Sequence, residues 1–149
     1  MLLRHDRVLV AVLIMTDVAF YAGRSGTVSA ADIAERAGMA RRGIEPLLQM
    51  LSRSGLLESV RGPRGGYRLG RPRRDICLSD VIGVITAAEE EGANGPTSPL
   101  FVKVVDIFWK EEDREAAERL KSVTLDDLVR RAEAKGLRRP LSEPISFSI

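Results

Sequence analysis

The stretch Arg61-Gly62-Pro63-Arg64-Gly65-Gly66-Tyr67-Arg68-Leu69 governs how the rest of the chain is read. Leu56–Val60 runs up to it as one short strand, and Tyr67–Leu69 runs back as another. Three glycines let the backbone turn sharply and approach a surface closely. Three arginines charge the tip. A short hairpin with a basic tip, following a helical region, has the form of a DNA-binding wing. A phosphate-cradling nucleotide loop is the rival for such a glycine cluster, but the Gly-Lys-Ser/Thr ending is missing.

The charge distribution agrees with a wing. The chain has 149 residues and a net charge of only +2. Between Arg36 and Arg74, however, ten basic residues stand against Glu45 and Glu58, so this segment carries +8 and the remainder −6. One basic segment on a mildly acidic protein is the electrostatic footprint of a nucleic-acid face. At 44% hydrophobic residues the chain can bury a core, and 5% aromatics means that Leu, Val, Ile and Ala must fill it. This length suits about one domain.

Working back from the hairpin, Arg41 to Ser54 reads as a helix. Ile44, Leu47, Leu48 and Leu51 fall in one arc, while Arg41, Arg42, Glu45, Gln49, Ser52 and Arg53 fall in another. Pro46 cannot donate its amide, so the regular helix either starts late, near Gly43, or bends there. Ser29 starts the preceding helix by capping the amide near Asp32, with Asp32 reaching back as in a capping box, and Gly38 ends it. His5 to Tyr21 reads as a mostly buried helix. Two short helices joined by a tight turn make a helix-turn-helix, and a hairpin straight after makes it winged. Arg, Gln and Glu on the second helix can bond base edges in the major groove. The wing arginines can neutralise phosphates or enter the minor groove.

Beyond the hairpin, Arg71–Ile76 is a linker and Leu78–Ala88 a helix. Glu89–Pro99 is acidic and rich in glycine and proline, hence a loop. Leu100–Val123 reads as one long helix whose first half is apolar nearly all round. Thr124 caps a last helix, Leu125–Ala134, and an irregular tail follows. The apolar run Val8–Met15 after Arg4 and Arg7 resembles a short signal peptide, but Asp17 follows at once and the run is too short to span a bilayer. No membrane segment is expected and the cytoplasm is the expected location.

The chain resembles the Rrf2 type of bacterial winged-helix regulators (the IscR, NsrR and CymR family). The resemblance is carried by Ser29-x-x-Asp32-Ile33-Ala34, Ile44-Glu45-x-Leu47-Leu48, Leu51-x-x-x-Gly55-Leu56 and Ser59-Val60-Arg61-Gly62-Pro63-x-Gly65-Gly66-Tyr67-x-Leu69. Leu78-x-Asp80-Val81-Ile82, Trp109 and Thr124-Leu125-x-Asp127-Leu128 extend it, so that it covers about residues 5 to 134.

It implies a mainly α fold with a small β-hairpin: a winged helix-turn-helix domain plus a long dimerisation helix. The expected division is residues 1–88 for DNA binding, 89–99 for the loop, 100–136 for the dimerisation and capping helices, and 137–149 for the tail. It further implies a homodimer on double-stranded DNA at a palindromic operator, usually as a repressor, with the long helix crossing to the partner. The expected DNA-binding residues are Ser29, Arg41, Arg42, Glu45, Gln49, Arg61, Gly62, Pro63, Arg64, Gly65, Gly66, Tyr67 and Arg68. Those of the dimer interface are Phe101, Val104, Val105, Phe108 and Trp109.

Many members of this family hold an iron–sulfur cluster through three cysteines in the loop before the long helix. Here Glu89–Pro99 has none, and Cys77, the single cysteine, precedes the loop. No metal and no cofactor are expected, and the effector is unassigned. Cys77 stands like Thr124 before Leu-x-Asp at a helix start. It is read as a small side chain in place of a capping hydroxyl, with a thiol redox sensor as the sharper alternative. A winged helix serving only protein interaction is the rival class, and the arginine-dense wing argues against it. With one histidine, His5, and no cofactor loop, no enzyme is expected.

Overall fold

The computed structural model describes residues 5–90 and 94–139, and among these six α-helices and one hairpin occur. Helix α1 (His5–Tyr21) lies at the centre, touching α2 (Ala30–Ala37), α3 (Arg41–Arg53), α4 (Leu78–Glu90), α6 (Leu125–Ala134) and strand β2 (Gly66–Leu69). Its buried residues Ala11, Ile14, Met15 and Val18 recur at three- and four-residue spacing, which puts them on one stripe, and buried Ala22 continues it just past the helix end. Ile33 of α2, the Ile44, Leu47, Leu48 and Leu51 arc of α3, and Val81 and Ile85 of α4 close over that stripe. Leu125 and Val129 of α6 enter the same core.

Local chemistry sets the helix ends. Ser29 Oγ accepts from the Asp32 amide at 3.1 Å, the forward half of the expected box. Gly38 takes φ +65°, a left-handed conformation open to glycine at little cost, and α2 ends there. The turn to α3 is three residues long. α3 is continuous from Arg41, so Pro46 does not delay it. The Gly43 amide donates to the Ala40 carbonyl at 2.9 Å, a tight first turn that brings the helix on ahead of the proline. Gly55, at φ +84°, ends it.

Strand β1 (Leu57–Val60) pairs antiparallel with β2, with Leu57 opposite Leu69, Glu58 opposite Arg68 and Ser59 opposite Tyr67. The linker contains a single 3-10 turn, Arg73–Asp75. Several boundaries differ from the sequence reading: the strands start at Leu57 and Gly66 rather than Leu56 and Tyr67, and the long helix ends at Leu120 rather than Val123. α4 runs on to Glu90, because Ala87, Ala88 and the glutamates after them are good helix formers. The long helix is not uniform. It opens with a π turn, Phe101–Val105, in which the Asp106 amide reaches the Phe101 carbonyl, and continues as α5 (Asp106–Leu120). Residues 91–93 of the expected loop, residues 1–4, and 140–149 of the expected tail lie outside the described residues.

The starts of α4 and α6 lie side by side. Cys77 and Thr124 are bridge partners: the Leu78 amide donates to the Val123 carbonyl at 2.8 Å, and the Leu125 amide to the Ile76 carbonyl at 3.0 Å. Thr124 makes both halves of a capping box with Asp127. At Cys77 only the return half forms, from the Cys77 amide to Asp80 Oδ2 at 3.1 Å, while Sγ lies 3.0 Å from Ser79 Oγ. Cys77→Ser is expected to complete this second box and raise stability by about 0.5–1 kcal/mol. A denaturant midpoint at or below that of the parent chain would contradict it.

Candidate nucleic-acid interface

The exposed arc of α3 and the inner edge of the hairpin enclose a groove of about 400 Å³. Ser29, Ala30, Arg41, Glu45, Gln49, Gly65, Gly66 and Tyr67 line it. The hairpin is held there by a third strand-like segment that the sequence reading missed. Val28 and Tyr67 exchange backbone hydrogen bonds, 2.9 Å from the Val28 amide and 2.7 Å to its carbonyl. A Cβ on Gly66 would stand 2.5 Å from the Val28 carbonyl oxygen, so this close approach requires glycine. Thr27 Oγ1 donates to the Arg64 carbonyl at 2.8 Å and ties down the wing tip. The β-branched pair Thr27-Val28 before the Ser29 cap was the available sequence signal.

At the tip, the Gly65 amide donates to the Gly62 carbonyl at 2.9 Å, a turn with Pro63 and Arg64 at its centre. Gly62 takes φ +113°, which disfavours a side chain. Gly70 was also missed. A Cβ there would run into the Gly55 carbonyl, so glycine lets the base of the wing lie against the end of α3.

Ion pairing divides the arginines. Arg41 pairs with Glu45 at 2.9 Å, one helical turn on. Arg68 holds Glu58 across the strands in a fork, 3.1 Å from Nε and 2.9 Å from Nη2. That hydrogen bonding lowers the Glu58 pKa and raises that of Arg68. Arg71 lies near Asp80, and Arg73 pairs with Asp126. Among the described residues, Arg42, Arg61 and Arg64 take part in no ion pair, and all three are exposed. Arg42 stands at the N-terminus of α3, where the helix dipole favours an anion, and Arg61 and Arg64 stand at the wing tip; none of the three lines the groove itself. Ser29, Arg41, Glu45, Gln49, Gly65, Gly66 and Tyr67 thus line one groove. Arg61, Gly62, Pro63 and Arg64 form the tip beside them. Arg68 is committed to Glu58.

The predicted interface residues Val104, Val105 and Phe108 are exposed, while Phe101 and Trp109 are half-buried. Cys77 is half-buried at the α4 start and does not line the groove. A three-cysteine cluster does not fit this chain, since one thiol cannot supply three thiolates. Among the described residues no group of three or more His, Cys, Asp or Glu is placed to hold a metal ion, and no helix is long and apolar enough to cross a membrane.

A protein-family model, Rrf2, described as an iron-dependent transcriptional regulator, matches residues 5–131. The HTH-type transcriptional regulator IscR of Pectobacterium carotovorum is 34% identical over 130 residues, spanning 83% of this chain and 76% of that protein. Among solved structures, IscR of T. potens superposes with a TM-score of 0.71 at 33% identity, over 90% of each chain. CymR of B. subtilis, the global cysteine regulator, does so with 0.65 at 28% identity, over 88% of this chain and 98% of that one.

Proposed function

The chain belongs to the Rrf2 family of transcriptional regulators, and from that membership we propose that it is a cytoplasmic, homodimeric repressor that binds a palindromic operator without an iron–sulfur cluster. The carrying observation is the groove in which the polar arc of α3 meets the wing, with Arg42 exposed at the start of α3 and Arg61 and Arg64 exposed at the wing tip. Residues 1–88 serve as the DNA-binding unit and 100–136 carry the dimer contacts. No enzymatic role is assigned.

Magnitudes support base reading by Glu45. Its pair with Arg41 is half-exposed on both sides, and such helix pairs are worth about 0.3–0.5 kcal/mol. A good base-edge contact is worth about 1–3 kcal/mol of discrimination. Glu45 therefore gains by turning from Arg41 to a cytosine amine. Arg68 must likewise release Glu58 to reach a phosphate, whereas Arg61 is in no ion pair among the described residues.

Three variants measured on one operator test this. Glu45→Ala is expected to relax base preference. Arg61→Ala is expected to weaken binding to most sequences and lower the slope of log K against log salt by about 1. Arg68→Ala is expected to cost less affinity than Arg61→Ala. Gel shifts on random genomic fragments at low and moderate salt supply the wider test. Absence of any protein–DNA complex at low salt, or unchanged operator binding in both Glu45→Ala and Arg61→Ala, defeats the assignment.

A further inference from the structure

A second hollow shares no lining residue with the groove between α3 and the wing. It measures about 470 Å³ and sits between the end of α1, α6 and the segment Leu137–Arg139. Phe20, Val129 and Leu137 supply its apolar lining, and Arg73, Arg138, Arg139 and Glu133 its charged lining. Val129 is 1% exposed and belongs to the core, so the apolar part of the lining has a rigid base. Arg73 is held in place by Asp126, which takes its Nε at 2.7 Å and also accepts from Arg130 at 3.0 Å. Arg139 packs its guanidinium over Gly23, against the C-terminal end of α1, closer than any side chain at position 23 would permit.

Asp126 offsets the charge of Arg73, so Arg138 and Arg139 against Glu133 leave a net charge of about +1 at the hollow, which a monoanion neutralises. Guanidinium groups match a carboxylate by paired N–H donors. The volume is in the range of ordinary small-molecule sites, which combine apolar walls with a few converging polar groups. Glu133 on the same wall disfavours a dianion. We propose that this cavity binds a small organic monocarboxylate with a short apolar body.

The test uses the full chain with sodium hexanoate, hexan-1-ol and sulfate as probes, followed by calorimetry and backbone amide shifts. Hexanoate is expected to saturate one site with a Kd on the order of 1 mM or below. Hexanol and sulfate are expected to bind at least about tenfold more weakly, since each offers half of the chemistry. Shifts should centre on Gly23, Val129 and residues 133–139. Arg138→Gln with Arg139→Gln should weaken hexanoate about tenfold or more. Leu137→Gln, at an exposed position, serves as a second variant in case that pair disturbs the end of α1. Equal binding of sulfate or hexanol, shifts spread over the wing arginines, no saturation by hexanoate, or unchanged affinity in folded variants would overturn the proposal. None of these readouts involves DNA, so the site stands or falls separately from the operator reading.

Discussion

Placing glutamate at both Val104 and Phe108 is expected to leave the chain monomeric and to lower operator affinity by about 100-fold or more. These residues stand one helical turn apart, and they are 56% and 54% exposed in the single chain. Leu100, Val102, Val105 and Ile107 around them are exposed as well. The π turn adds a residue to one turn of the helix and so spreads the apolar side chains around it. Exposed apolar side chains gathered on one helix in this way mark an interaction site. A second copy of the same helix is the occupant proposed above, and it would bury the patch symmetrically. Two carboxylates per protomer in that contact face desolvation without partners. The effect on DNA follows from geometry. A dimer binds the second half-site at high effective concentration, and a monomer loses that gain without losing any contact of its own groove. Sedimentation equilibrium and operator titration measure both effects. A parent chain that is monomeric at micromolar concentration, or a monomeric variant that holds the full operator as tightly as the parent, rules the proposal out.

What the sequence disclosed and what it withheld divide by range of interaction. The α3 arcs, the Ser29 and Thr124 caps and the ends at Gly38 and Gly55 all arise from residues within a turn or two of each other. Helical spacing alone reveals them. The groove was legible to the extent that its members lie on one helix face or in the glycine-rich turn. The Val28–Tyr67 bridge was not, because it joins a segment 39 residues upstream to the wing through backbone atoms only. The need for glycine at position 70 depends on a carbonyl 15 residues earlier. Arg68 read as one of three equivalent wing arginines until the strand register placed Glu58 opposite it. The halt of the sequence reading at Ala88 has another cause: Glu89 and Glu90 suit a solvated loop and a helix end equally well, and α4 takes them.

Asp17→Ala is expected to destabilise the fold by about 2–3 kcal/mol, lowering the melting temperature by roughly 5–10 °C for a chain of this size. Asp17 lies on α1 and Arg36 on α2. Two parallel hydrogen bonds join them, from Arg36 Nε to Oδ2 at 2.8 Å and from Nη2 to Oδ1 at 2.7 Å. The same guanidinium lies over the Tyr21 ring, 4.1 Å from its centroid. The bond to Asp17 outweighs the burial of Arg36 and raises its pKa. The Asp17 side chain is 7% exposed and that of Arg36 30%, so the stranded cation would be only partly hydrated. The figure falls below the roughly 3–5 kcal/mol of fully buried pairs because Arg36 retains that access to water. Asn at position 17 keeps one acceptor and should fall between Ala and Asp. The double variant Asp17→Leu with Arg36→Met removes both charges and should recover much of the loss. The clamp fixes α2 against the central helix, and α2 begins at the Ser29 cap on the edge of the groove between α3 and the wing. Loss of it should therefore loosen the groove as well as lower the melting temperature, visible as faster amide exchange in α2 than in α4. A melting temperature within about 2 °C of the parent for Asp17→Ala would show that the pair is dispensable.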